Sequence, residues 1–600
     1  MKKNFSALGQ IWFIIKFSAG FLWKADKKAF LSSVISNAAS STVIIPNVLL
    51  DKAFLDTIIA NVKTPDPSSA IRTIGLILVG KALLFSFETV ARRTSGYYTR
   101  ILHWRKNQLA EIMIGEKYAR VGVPTIEDPK FKDIYQRVQS DSISQLTKIT
   151  DNFISSPRHI SGILSSLSIF LTQPLIIIIS LVSLLPTVIV ERVFIKKGYE
   201  LDKVLAPLLK KRGFYSSYLS RPRSYMEGRL LNVSQYLSQK VSEFWEEIIS
   251  KRRVQSQSRR KWAMGASILD EIIALSLNGF FALKAILGQI TVGSAQAYVR
   301  AVSSFKSHSF SLIGAFLELY ESHFYLTDLV WFLGLEEPYF SGKGVRLKEK
   351  PIAIKFDDVW FKYPGSDNWI LKGVSFDINP GQNVAIVGKN GAGKTTLVKL
   401  LCGFYEPTKG VISINGDEVS RLNKEEYWKK VSVLFQDYEG YSMSVRESIG
   451  MSNISQIANL KQIEKYAKMV DLDSWINSLD LKYETPLSRD FEKGVVPSSG
   501  QWQRLGLARS LFKDCEVLIL DEPTSNVDPV AEENIFHEIL KLGKNKIIMF
   551  ISHRFSTVRR ADRIIVMDNG VVVEQGIHVD LMKQKGEYAK LFTLQAKSYK

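Results

Sequence analysis

Hydrophobic positions are spread unevenly along the 600 residues. In the first half they gather into six runs, 29–50, 68–91, 149–172, 174–193, 263–287 and 294–326, each about long enough to cross a hydrocarbon core of roughly 30 Å. The run 174–190 reads PLIIIISLVSLLPTVIV without a single charge. Outer connections between these runs are mostly a few residues long. The inner ones, between the second and third runs and between the fourth and fifth, are each more than fifty residues long, largely polar and rich in Leu, Lys, Glu and Arg. That content predicts helices that run on beyond the membrane and turn back at their far ends. In the second half the apolar runs shrink to strand length, as in NVAIVG and EVLILDEP, and alternate with helical periods. The pattern predicts an interfacial helix over 1–28, a membrane domain over 29–335, a linker over 336–350 and an α/β domain over 351–600.

Charge sharpens this picture. Lys and Arg number 79 against 59 Asp and Glu, a formal net charge of +20. The excess crowds 92–148 and 192–261, the inner connections, whereas 171–174 and 287–293 carry no Lys or Arg. Such asymmetry places the inner connections and the α/β half on the cytoplasmic side of a membrane, and it argues against nucleic acid as the partner of the basic surface. Only Cys402 and Cys515 occur, so a disulfide framework is not expected. Lysines scattered from Lys2 to Lys28 make 1–28 read as an amphipathic surface helix, with no cleavable signal peptide. Inside the membrane runs, Lys81, Glu88, Asp270, Glu271, Lys284, Arg300, Lys306, His308, Glu318 and Glu321 are costly unless they face a bundle interior or a watery cavity, which suggests a transport pathway.

The chemistry of the second half centres on GKNGAGKT, residues 388–395, between a strand and an apolar helix. Gly388, Gly391 and Gly393 let the backbone curl so that its N–H groups, with that of Asn390, line a phosphate nest. Lys394 reaches the terminal phosphates, and Thr395, next to Thr396, offers a hydroxyl to Mg²⁺. A second buried strand ends in Asp521 and Glu522; the first suits Mg²⁺ support, the second the polarising of an attacking water. A third feature, VVPSSGQWQRLGLARS at 495–510, is a helix opened by serine whose N-terminus suits an anion, although the one cation just before it is Lys493.

Taken together and in order, these motifs resemble the nucleotide-binding domain of ATP-binding cassette (ABC) transporters over about 354–595. The resemblance implies roles for further residues: Tyr363 in FKYP as the ring stacked on adenine, Gln436 in LFQD as a Mg²⁺ contact, Asp528 in SNVD as the loop joining two active sites, and His553 in ISHR as the γ-phosphate contact. It also explains the serine-opened helix. Pro497, Ser498, Ser499, Gly500 and Gln501 stand where that family carries LSGGQ, the helix end that meets ATP held by the other half of a head-to-tail dimer. One phosphate loop and one signature per chain then imply two chains, read as a homodimer because this chain carries both Glu522 and His553, with a heterodimer as the alternative. Pro497 and Ser499 depart from the family pattern and lead us to expect slow but real hydrolysis.

The membrane half resembles the exporter type of the same family: six helices with long cytoplasmic extensions, and coupling helices at 123–138 and 224–232 that press on the nucleotide domains. The implied activity is ATP-driven export by alternating access, with ATP and Mg²⁺ as cofactors. The implied setting is a bacterial plasma membrane with the ATPase domain cytoplasmic. Acidic and basic groups along the presumed pathway favour an amphipathic small molecule or peptide as cargo; lipid flipping, an ATP-gated channel and import are the alternatives.

Overall fold

The computed structural model describes residues 7–598 except 64–65, 171–173, 221–224, 341, 343, 348–350, 525–528, 543–545 and 553. It divides into two compact units. Met1–Tyr118 with Lys132–Leu335 forms the first, and Ala119–Phe131 with Glu336–Lys600 forms the second.

The first unit is helical: α1 (Ala7–Ala25), α2 (Lys27–Thr42), α3 (Ile44–Lys63), α4 (Pro67–Arg120), then, past the short α5 (Val123–Glu127), α6 (Pro129–Arg137), α7 (Ile143–Ile169), α8 (Pro174–Ser220), α9 (Tyr225–Leu230), α10 (Val233–Ile286) and α11 (Val292–Leu333). The inner connections are indeed continuations of membrane helices, since α4 and α10 run unbroken for 54 residues each and α8 for 47. Among the described residues these three are long and apolar enough to cross a membrane by length and composition alone. The first predicted run instead breaks at Val43, and Asp26 starts α2 by accepting a hydrogen bond from the Ala29 N–H at 2.9 Å. Helix α2 is then only 16 residues long, and its Ser33, Ser40 and Ser41 are buried, small side chains that permit close packing on α7.

Charges in the apolar helices mostly meet partners within the unit. Asp51 pairs with both Lys81 and Arg300, Glu88 with Arg92, and Lys306 Nζ lies 2.7 Å from Asp270. His159 and His308 face each other with 3.3 Å between their Nδ1 atoms. Pairing is the means by which such groups are tolerated away from water.

In the second unit a six-stranded sheet runs in the order β10-β9-β3-β8-β7-β6, where β3 is Asn383–Gly388, β6 Val431–Leu434, β7 Val517–Asp521, β8 Ile547–Ile551, β9 Arg563–Asp568 and β10 Val571–Gly576. All neighbours pair in parallel except the edge strand β10. Continuous apolar strands are what a sheet covered on both faces requires. Alternation along each strand sorts the side chains into two cores: Val384, Ile386, Val517, Ile519 and Met549 join one, and Ala385, Val387, Leu518, Leu520 and Phe550 join the other. A smaller antiparallel sheet, β2-β1-β4-β5, is built from β1 (Ile354–Phe361), β2 (Leu371–Ile378), β4 (Lys409–Ile414) and β5 (Asp417–Glu418).

Residues 119–131 cluster with the second unit. The reason is specific bonding: the Glu127 carboxylate accepts from the Tyr405 hydroxyl and from Lys399 Nζ at 3.1 Å, and the Val123 N–H donates to the Tyr339 hydroxyl at 3.1 Å.

Candidate nucleotide site

Strand β3 delivers the glycine loop to the carboxyl edge of the parallel sheet, where open α/β sheets bind ligands. Gly388 lies opposite Met567 of β9, and a Cβ built on it would stand 2.2 Å from the Met567 carbonyl oxygen. Gly391 and Gly393 take φ of +81° and +96°, the left-handed region that a side chain strains. Gly393 begins helix α12 (Lys394–Leu401) with no side chain capping its first turn, so the free N–H groups of that turn face outward for an anion. Asn390 is exposed at the tip of the loop.

Lys394 is 7 % exposed, and its ammonium donates to the carbonyls of Gly388 and Lys389 at 2.8 and 2.9 Å. Burial pushes its pKa below the usual lysine range, with Glu522 and Asp521 pulling it partly back. Asp521, at the buried end of β7, is displaced the other way: burial raises its carboxyl, while the Thr395 hydroxyl, donating at 2.8 Å, and Lys394 lower it. Thr395 and Asp521 thus present two hard oxygen donors side by side, a set that fits Mg²⁺. Gln436 Nε2 lies 3.4 Å from Glu522 Oε2. The Tyr363 hydroxyl is 3.1 Å from Thr396 Oγ1, and its ring stands edge-on to Phe361 and Tyr405. Seven of the sequence-selected residues, Tyr363, Gly388, Lys394, Thr395, Thr396, Asp521 and Glu522, therefore belong to one bonded neighbourhood, with Gln436 at its margin.

Ser498 caps the helix Ser499–Phe512 in a reciprocal capping box: its hydroxyl accepts from the Gln501 N–H, and the Gln501 side chain accepts from the Ser498 N–H at 2.8 Å. Gly500 sits in the first turn. With Ser498 and Gln501 committed to each other, the exposed Ser499 hydroxyl and the remaining N–H groups are what this helix end offers a ligand. Asp528 and His553 lie outside the described residues.

Three groups escaped sequence reasoning. Gln503, 2 % exposed in the serine-opened helix, donates from Nε2 to the Glu522 carbonyl at 2.8 Å and so ties that helix to the carboxylate strand. Glu532, 3 % exposed, accepts from Thr524 at 2.9 Å, from Thr557 at 3.0 Å and from the Arg554 guanidinium. It joins the loop after Glu522 to the segment after His553. Tyr405 and Lys399, held by Glu127, surround the Tyr363 ring. None of these has a local signal, since a lone Gln or Glu on a helix ordinarily reads as surface.

Glu532→Gln keeps the shape but removes the charge opposite Arg554. We expect a stability loss of about 2 kcal/mol, typical of a hydrogen-bonded charged group, and a fall in kcat with little change in nucleotide affinity. Thermal unfolding and a kcat against KM comparison on the whole chain check this; an unchanged kcat excludes Glu532 as a positioning residue.

Comparison with known proteins agrees with the geometry. The family model for ABC transporters matches residues 371–525. The subtilin transport ATP-binding protein SpaT of Bacillus subtilis is 31% identical over 534 residues, covering 87% of this chain and 85% of that protein. An ATP-dependent lipid A-core flippase of Alkalilimnicola ehrlichii is 36% identical over 262 residues, 44% of each chain. Among solved structures, a bacterial Atm1-family ABC exporter with ATP bound superposes with a TM-score of 0.80 over 96% of this chain and 98% of that one, at 19% identity.

Proposed function

This chain belongs to the ABC transporter family, and from that premise we propose that it is an ATP-driven exporter working as a homodimer, with an amphipathic peptide or small molecule as cargo. The observation that carries the catalytic part is the Thr395–Asp521 contact of 2.8 Å with Glu522 next in sequence at the sheet edge. Lys394, the free N–H groups of α12 and the loop backbone would hold the phosphates, and Tyr363 the base. Thr395 and Gln436, with Asp521 indirectly, would hold Mg²⁺, which would supply charge neutralisation at the phosphates. Glu522 orients and deprotonates the attacking water, and the Ser498–Gln501 helix end of a second copy completes the site. His553 and Asp528 are assigned, by resemblance, to the γ-phosphate and to the link between the two sites.

The requirement for a second copy has support in the helix that expectation made a coupling element. In α9 and just after it, Met226, Leu230 and Leu231 are 70, 87 and 61 % exposed, whereas α5 is bonded within the second unit. Apolar side chains this bare at a helix end suit a partner surface. For the cargo, a relative that matches over 87% of this chain is named for subtilin transport, while the flippase match spans 44%.

Accumulation of an amphipathic peptide inside inverted vesicles against its gradient, driven by ATP, tests the reading, because a channel concentrates nothing. ATP turnover per chain that stays constant on dilution to monomers refutes the two-copy site. Ser499→Gly, which removes a Cβ from the helix end facing phosphate, should raise turnover several-fold; equal or lower turnover shows that Ser499 does not crowd the site.

A further inference from the structure

Between α8, α10 and α11, within the first unit, lies a cavity of about 540 Å³. It begins where the charge-free run ends, for Glu191 is the first charged residue after 174–190. Its apolar wall includes Val188, Phe194, Ile195, Phe310, Ile313 and Leu317. Helical spacing determines which charges enter. Along α8 the wall takes Glu191, Ile195, Gly198 and Asp202, one face at intervals of three and four, and leaves out Arg192, Lys196, Lys197 and Lys203. This stretch of α8 therefore turns Glu191 and Asp202 to the cavity and keeps its four basic residues, with Glu200, off the wall.

Three carboxylates and two guanidinium groups line the space. Glu191 is paired with Arg259 at 2.7 Å and Asp202 with Arg252 at 2.8 Å, so these four charges staple α8 to α10. Glu318 of α11 is the remaining one. It accepts a hydrogen bond from the Asn152 amide and has no ion pair among the described residues. An amide leaves the carboxylate's charge in place, so the wall carries one net negative charge beside apolar side chains, with Glu318 itself exposed.

We propose that this cavity admits a lipophilic cation: the positive end of the cargo pairs with Glu318, and its apolar body lies on Phe194, Ile195, Phe310 and Ile313. The inference rests on the exporter reading for its cargo and narrows that cargo to an amphipathic molecule bearing an ammonium, guanidinium or phosphonium-like charge. Placement at the inner end of the apolar run suits a molecule entering from the cytoplasm or the inner leaflet.

Tetraphenylphosphonium and tetraphenylborate, equal in shape and opposite in charge, are the probes, with binding to the full chain in vesicles measured against protein-free vesicles. Glu318→Gln should weaken phosphonium binding by roughly threefold to fivefold, the upper range for one solvent-accessible charge pair, and leave the borate unchanged. Gly314 lines the cavity with open space at its Cβ, so Gly314→Leu fills the site and should abolish phosphonium binding. Undiminished phosphonium binding in either variant overturns the assignment, as does borate binding as tightly as phosphonium to the unaltered protein. If Glu318→Gln fails to fold, Glu318→Asp, which keeps the charge, must retain binding while Gly314→Leu loses it. An amphipathic peptide with a single lysine, against its Gln counterpart, separates peptide from small-cation cargo: tighter binding of the lysine form supports the site for peptides, and equal binding excludes them. ATP hydrolysis and uptake by the unaltered protein in the same vesicles test the exporter reading separately.

Discussion

Glu522→Gln is expected to lower steady-state ATP turnover by about a hundredfold or more, the usual range for loss of a general base, while ATP still binds. The side chain changes by one atom, and its surroundings hold the backbone whatever the headgroup. The Glu522 N–H donates to the Ile551 carbonyl at 3.0 Å, and its own carbonyl accepts from Gln503 at 2.8 Å. Glu522 also sits at φ +50°, in the left-handed region that costs a non-glycine residue about 1–2 kcal/mol. These two hydrogen bonds, one on each side, hold that conformation, which aims the side chain outward from the buried strand end toward Gln436. Nothing that would bind phosphate is altered by the substitution, so affinity should persist. Phosphate release under saturating ATP, with binding followed by a fluorescent nucleotide, checks both halves. Turnover within threefold of the unaltered protein removes Glu522 from the catalytic role.

Gly388→Ala should cost both nucleotide binding and stability. The added methyl would meet the Met567 carbonyl oxygen at 2.2 Å and its carbon at 3.2 Å. These are backbone atoms of the neighbouring strand, paired with Gly388 in a parallel ladder that continues through Ile386 and Ile565. No side-chain rotation relieves the overlap, so either β3 and β9 separate at their ends or the glycine loop is displaced. Overpacking against side chains costs about 1–3 kcal/mol, and an unyielding backbone should place this at the upper end. Gly391→Ala is the instructive contrast, because its Cβ meets nothing within 4 Å and only φ is strained. We expect Gly388→Ala to melt several degrees lower and to lose measurable ATP binding, with Gly391→Ala losing less, since it meets only the φ strain of about 1–2 kcal/mol. Equal melting of all three would show that the ladder end accommodates a methyl group.

What the residues declare on their own is whatever depends on short spacing. Six apolar runs, the glycine loop before an apolar helix, two carboxylates after a buried strand and a serine-capped helix are all patterns within a few turns or one strand. Helix and strand periods fix which face such residues occupy. The same locality explains why long polar connections were legible as helices: α4 and α10 carry the composition of helix formers from end to end.

Folding decided the relations between distant positions. Glu127 is 278 residues from Tyr405, Asp51 is far from Arg300, and Glu532 gathers donors from two separate loops; no period along the chain encodes such meetings. Each depends on a bond that exists only once helices and strands have packed, which is why 119–131 joined the nucleotide unit and why the charges in the apolar helices found partners. The cavity beside Glu318 has the same origin. Three helices had to come together before one carboxylate could be distinguished from its paired neighbours, because burial and pairing are properties of the assembled packing and not of the residue.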